Sequence, residues 1–422
     1  MKYPIGIQTF EDIIKNGFVY VDKTHLVHNL VTTSKVVFLG RPRRFGKSLL
    51  LSTIESYFQG KKELFKGLAI EALEKEWKAY PVLTLSFGRQ DFTRSEVLEK
   101  GIHTFLRNAE EKYGIVHAND TLGDRFFDLL RQIYKKTGRQ VVVLIDEYDK
   151  PLLDVMESKA KVEYHGEQIT LEEHNRNLLK SFYATFKDAD KYLRFVMLTG
   201  VTKFSQISVF SGFNQPDDIS MEVQYESICG ITAEEMEAYF AEPIAALAAQ
   251  EQVSVEEEKV LLKQQYDGYH FGPSMQDVYN PFSLLNCFKK NFRDNYWFRT
   301  ATPTYLTKLL QHTDTCFNEL AGKWYDSTEF VDYKADVQRP LPMLYQSGYL
   351  TIKAYEPRRR RYLLDFPNDE VRQGFIDMLA SGYLRPHTTP SAWINRADPR
   401  PLYKIGVNFS TQTGTVEEFL VK

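Results

Sequence analysis

Val36-Val37-Phe38-Leu39-Gly40-Arg41-Pro42-Arg43-Arg44-Phe45-Gly46-Lys47-Ser48-Leu49 is the stretch that decides the fold. Its first four residues are apolar and mostly β-branched or aromatic, the composition of a buried strand. Its end opens the run Ser48-Leu49-Leu50-Leu51-Ser52-Thr53-Ile54, whose apolar residues recur at helical spacing. A basic loop ending in Gly46-Lys47-Ser48 joins the two. Glycine lets the backbone turn closely around an anion, and the N–H groups that begin a helix point toward it. Strand, loop and helix in this order predict a phosphate cradle over Arg41, Arg43, Arg44, Phe45, Gly46, Lys47, Ser48 and Leu49. Lys47 would reach the outer phosphates of a purine nucleoside triphosphate, and the Ser48 hydroxyl would ligate Mg²⁺.

The usual pattern has a glycine five residues before the second one, and here Arg41 holds that position. Three readings of the arginines stand, the plainest being a basic turn between strand and helix. Otherwise they add phosphate contacts, or one of them serves a neighbouring subunit of a homo-oligomer.

Further along, Val141-Val142-Val143-Leu144-Ile145-Asp146-Glu147 is a continuous apolar run closed by two acids. A buried parallel strand of this kind delivers carboxylates to the carboxyl edge of the sheet, where ligands of open α/β sheets bind. Asp146 would hold the magnesium and Glu147 would act as general base on the attacking water. Asp149 is read either as support for these acids or as a helix cap. Strands are also predicted at 81–87 and 193–199, and a short strand-like piece at Phe18-Val19-Tyr20-Val21. Helices are predicted at Ser95–Lys112 and Leu171–Lys187. Alternation of apolar strands and helices predicts an α/β fold with a parallel sheet covered on both faces. Thr199, closing the fourth strand, is a candidate γ-phosphate sensor, with Lys203 a weaker one.

Beyond Glu222 the pattern turns helical, with Ala233–Ala249 and Glu256–Gln265. Helices then alternate with short strands, and Leu341 to Lys353 has the helix–turn–hairpin order of a winged-helix module. The expected organisation is a nucleotide-binding core at 1–222, a helical lid at 223–300, a winged-helix-like region at 301–384 and a terminal segment at 385–422. The last contains Pro386, Pro390, Pro399 and Pro401 and ends in a strand-like Leu402 to Phe409.

A formal net charge of −3 argues against a globally basic nucleic-acid coat protein, although a local basic patch is compatible with it. Arg358-Arg359-Arg360-Arg361 is such a patch, read as a solvated turn or as a nucleic-acid phosphate contact. Three cysteines, Cys229, Cys287 and Cys316, form no Cys-x-x-Cys pair, which favours a reducing, cytoplasmic compartment. No apolar run has the length of a membrane span. His270 is read as structural or as reaching the nucleotide, and Asp22 as a helix cap or as part of the base pocket.

The chain resembles the AAA-ATPase-like family of bacterial and archaeal proteins. The resemblance rests on Pro4-Ile5-Gly6-Ile7-Gln8-Thr9-Phe10, Tyr20-Val21-Asp22-Lys23-Thr24, Arg41 to Ser48 and Leu144 to Pro151. It extends through Leu198 to Ser205, Tyr266-Asp267-Gly268-Tyr269 and Tyr279-Asn280-Pro281-Phe282-Ser283. It implies a P-loop ATPase core of the kind with a catalytic glutamate beside the magnesium aspartate, binding ATP and Mg²⁺, and it makes Arg41 a family trait. It also implies, for many members, a C-terminal nuclease-like domain with an Asp and a Glu-x-Lys on paired strands. That module is expected to be mostly missing here, and nuclease activity with it.

Overall fold

The computed structural model describes residues 1–116, 121–156, 158–164, 166–204, 216–301, 320–331 and 340–384. Residues 385–422, where the sequence leads us to expect a linker and a strand, lie outside the described residues. Met1–Tyr239 form one compact unit and the described residues from Phe240 onward a second. The helix Ala233–Glu251 loses helical geometry at Phe240, and Pro243, which has no N–H, lies inside it.

In the first unit the strands are β1 (Val36–Gly40), β2 (Val82–Ser86), β3 (Val141–Asp146), a hairpin of β4 (Lys161–Tyr164) and β5 (Glu167–Thr170), β6 (Leu193–Gly200) and the two-residue β7 (Asp217–Asp218). Five of these form one parallel sheet in the order β2-β3-β6-β1-β7. All six residues of β3 are buried, as are the last six of β6. That is why both strands read as unbroken apolar runs. The register pairs Leu39 with Thr199 and Gly40 with Gly200, while Ile145 pairs with Leu198. The carboxyl ends of β1, β6 and β3 therefore lie level at one edge, and β6 stands between the loop strand and the acid strand.

Helices Ser95–Tyr113, Leu122–Thr137 and Leu171–Asp188 pack on one another. The rings of Phe126 and Phe182 stack with centroids 4.6 Å apart. Leu122–Thr137 and the hairpin β4–β5 have no counterpart in the sequence reading. The strand-like Phe18–Val21 forms no strand: the Val19 N–H bonds to the Lys2 carbonyl, and Tyr20 packs edge-on against Phe10.

The second unit combines helices Val255–Tyr266, Pro281–Lys290, Tyr296–Ala301 and Asp369–Leu384 with an antiparallel sheet. That sheet is made of β8 (Lys323–Asp326), β9 (Thr351–Glu356) and β10 (Arg361–Asp365) in the order β8-β10-β9. Buried Trp297, Tyr349 and Phe375 meet in its core, with ring centroids 5.4 and 5.7 Å apart. A short helix, Leu341–Gln346, precedes β9.

A phosphate-loop site at the carboxyl edge of the sheet

The loop after β1 turns twice through left-handed backbone, at Arg44 (φ 69°) and at Gly46 (φ 98°). Gly46 is the N-cap of the helix Lys47–Phe58 and takes this conformation without the clash a Cβ would bring. Lys47, the first helical residue, is buried, and its ammonium donates to the carbonyls of Arg41 (2.9 Å) and Pro42 (3.0 Å). Burial pulls the Lys47 ammonium below its ordinary range, while the charges of Asp146, Asp149 and Glu147 hold it up.

Ser48 and the acidic strand end meet directly. The Ser48 hydroxyl donates to Asp146 Oδ2 at 2.6 Å. The other oxygen, Oδ1, accepts from the Thr199 hydroxyl at 2.7 Å and from the Glu147 N–H at 3.0 Å. Three elements distant in sequence thus converge on one carboxylate, and the intervening strand β6 is what brings Thr199 between them. Hard oxygen donors suit a magnesium ion. Among the described residues no group of three or more His, Cys, Asp or Glu side chains could hold a metal by itself. Mg²⁺ is commonly held by one or two protein oxygens with the rest supplied by phosphates and water, so Ser48 and Asp146 fit that sharing.

Glu147 sits at positive φ (52°), a strained conformation for a residue with a Cβ. Its carboxylate lies against the backbone just beyond β2, where a Cβ on Gly88 would come within 3.1 to 3.3 Å of the carboxyl atoms. Burial is the main influence raising the Glu147 carboxyl, and Asp146 raises it further; Lys47 and Arg43 oppose them. Gly88 is a site residue that the sequence reading missed. Its signal was a glycine two residues past a buried strand, on the edge where the acids end.

Asp149 supports the site. Fully buried, its Oδ2 accepts from the Val201 N–H (2.9 Å), the Thr202 N–H (2.7 Å) and the Thr202 hydroxyl (2.8 Å). Beside it the Tyr148 hydroxyl donates to the Thr202 carbonyl and accepts from the Phe204 N–H. This pair clamps the chain after β6 to the turn after β3, fixing Thr199 against Asp146. No side-chain helix cap is made by Asp149.

Arg41 departs from its expected role. Its guanidinium is buried and donates to the carbonyls of Gly40 (2.9 Å), Ser220 (2.7 Å) and Tyr225 (3.0 Å), while its N–H bonds to the Gly200 carbonyl. The guanidinium at the end of a central strand is a cross-tie to residues 220–225. Arg43 is half-buried and Arg44 exposed, and Phe45 is buried beneath the loop. Lys203 pairs with Asp218 at 2.7 Å. Asp22 accepts from the N–H groups of Thr24 and Ala69, joining a cap to a tertiary contact. His270, in the second unit, hydrogen-bonds to the Ile352 carbonyl and to Asp277.

A family model described as "Predicted AAA-ATPase" (AAA-ATPase_like) matches residues 4–210, a span containing Lys47, Ser48, Asp146, Glu147 and Thr199. A protein of Azotobacter chroococcum mcd 1, described as an uncharacterized protein in the vnfD 5′ region, is 36% identical over 389 residues, covering 91% of this chain and 70% of that protein. Two Aeropyrum pernix structures align at low scores. ORC1 in complex with DNA gives a TM-score of 0.28 at 11% identity, over 85% of this chain and 93% of that one. ORC2, as ADPNP–ADP complexes, gives 0.29 at 12%, over 88% and 93%. Likeness at this level carries no argument, and the fold assignment rests on the strand order and the loop. With the family model matching the sheet and loop over residues 4–210 and a 36% identical relative covered over 70% of its length, the chain belongs to the AAA-ATPase-like family.

Proposed function

We propose that the protein binds ATP with Mg²⁺ at this edge and hydrolyses it, its nucleotide state driving a conformational change. The observation that carries the reading is the convergence of Ser48, Thr199 and the Glu147 N–H on the Asp146 carboxylate, with a second carboxylate of raised proton affinity beside it. N–H groups from Arg43 to Leu49 would cradle the phosphates. Lys47 would exchange its two carbonyl partners for phosphate oxygens. Magnesium, held by Ser48 and Asp146, would supply charge neutralisation at the outer phosphates. Glu147 would take the proton of the attacking water, and the rise that burial gives its carboxyl makes it a stronger base for that task. Thr199 would keep Asp146 in place and orient the water. Arg41 has no role in this scheme beyond fixing the loop.

Glu147→Gln tests the mechanism. Turnover is expected to fall at least a hundredfold with ATP affinity retained, and the rise of wild-type rate with pH, as Glu147 ionises, is expected to vanish. Unchanged turnover would remove Glu147 from its role. If wild type itself binds ATP without measurable turnover, a nucleotide-gated scaffold replaces the ATPase. A rate per chain that grows with protein concentration would support a homo-oligomer sharing an arginine between copies. A cytosolic setting suits the buried free thiols Cys229 and Cys287, and among the described residues no helix is long and apolar enough to cross a membrane. A second reading, a nucleic-acid-binding module regulated by the nucleotide, draws on the exposed arginines Arg358, Arg359 and Arg360.

A further inference from the structure

The sheet β8-β10-β9 has two unlike faces. Register places Tyr325, Tyr362 and Tyr355 side by side on one of them. There Tyr355 and Tyr362 pack with centroids 4.7 Å apart, and Phe330 packs on Tyr362 and on Tyr345. Alternation along a strand sends the next residues to the opposite face. These are Trp324, Leu363 and Ala354, followed toward the turn by Asp326, Arg361 and Glu356. Trp324 is 38% exposed, an unusual position for a large aromatic side chain. The turn after β9 carries Arg358, Arg359 and Arg360, all exposed, with the Arg359 side chain at 74%.

Arg361 is different from the other three. It donates to the Trp324 carbonyl at 2.7 Å and lies 3.9 Å from Asp326, so it braces β10 against β8. Glu356 stands 3.9 Å from Arg359, a loose solvent-exposed pair that a phosphate could outcompete. Along a strand the step from the Arg361 position to the Leu363–Trp324 pair is about 7 Å, two residues at roughly 3.4 Å each. The exposed indole thus stands two residues along the sheet from the strand end at which the turn carrying Arg358, Arg359 and Arg360 meets β10.

We propose that this face binds single-stranded nucleic acid, its phosphates on Arg358, Arg359 and Arg360 and an unstacked base on Trp324. The inference rests on the nucleic-acid reading of these arginines and adds the aromatic platform, which is what selects a single strand. A duplex keeps its bases stacked and offers an exposed indole no base face. Sequence preference is expected to be weak, because stacking accepts every base.

Fluorescence anisotropy of a labelled oligothymidylate with the full chain, titrated over about 50–200 mM salt, tests both layers. Replacing Arg358, Arg359 and Arg360 together by Ala is expected to weaken binding at least tenfold. The slope of log K against log salt should also fall by about two, at roughly 0.7 per phosphate contact. Trp324→Ala is expected to weaken binding about tenfold with the slope unchanged, and Trp324→Phe to restore most of it. Absence of binding at about 50 mM salt would overturn the nucleic-acid reading altogether. Binding that tracks the arginines, ignores Trp324→Ala and favours the matching duplex would leave that reading standing and overturn the single-strand inference.

Discussion

Asp146 shows how much of the site turns on one side chain. Its two oxygens accept from Ser48, Thr199 and the Glu147 N–H, so it can hold a metal ion only in an orientation that its neighbours have fixed. Gly88 sets the companion acid in the same way, by leaving space. A methyl group there would press on the Glu147 carboxylate at 3.1 to 3.3 Å. Gly88→Ala is therefore expected to lower kcat for ATP hydrolysis about tenfold while ATP affinity stays within twofold, read from steady-state rates and calorimetry. An unchanged kcat would mean that the Glu147 carboxylate does not depend on this seat. Arg41 carries the opposite expectation. Arg41→Met removes three hydrogen bonds from a buried guanidinium to one buried and two part-buried carbonyls, and should cost the first unit on the order of 3 kcal/mol in urea unfolding. Loss of nucleotide affinity at unchanged stability would return Arg41 to the phosphates.

At the scale of elements, legibility followed locality. Lys47, Ser48 and Asp146 were readable because each lies in a short run whose neighbours declare its setting, loop before helix or acid after buried strand. The cross-tie made by Arg41 was not legible because its partners, Ser220 and Tyr225, are remote in sequence. Gly88 was missed for the same reason, its neighbour being the end of another strand. Leu122–Thr137 is a different case. Thr121 caps it through Asp124, and Leu122, Phe126, Leu129, Leu130 and Ile133 line its buried face at helical spacing. That signal was present and local. In the second unit, the motif Tyr266-Asp267-Gly268-Tyr269 carries a fully buried carboxylate whose oxygens have no hydrogen-bond partner, with Lys263 3.8 Å away. Burial pushes Asp267 up to about 6. The folded chain thus keeps a proton that the unfolded chain releases near pH 4, so stability is full below that and is lost as pH rises through 6. Asp267→Asn is expected to remove this loss, on the order of 2–3 kcal/mol between about pH 4 and pH 7, in urea unfolding across that range. A variant with the wild-type pH dependence would show that Asp267 is ionised in the fold.

Over the whole molecule, the sheet order β2-β3-β6-β1-β7 is the feature that brings the loop after β1 and the acids after β3 to one edge. Sequence predicted four of its strands and its parallel sense from apolar runs alone. The order itself was not legible, because nothing local says that β6 stands between β1 and β3. That insertion makes Thr199, singled out by its place at a strand end, a hydrogen-bond partner of Asp146. The second unit was less legible, since its helices and short strands carry weak periodicity and its core of Trp297, Tyr349 and Phe375 joins distant segments.

Binding of ATP with Mg²⁺ by calorimetry, run beside steady-state hydrolysis for wild type and Lys47→Ala, tests the central claim most directly. Wild type is expected to bind ATP only with Mg²⁺ at full affinity and to turn it over, and the variant to lose both. Equal binding by the two proteins, or none by either at millimolar ATP, would contradict a working phosphate loop around Lys47.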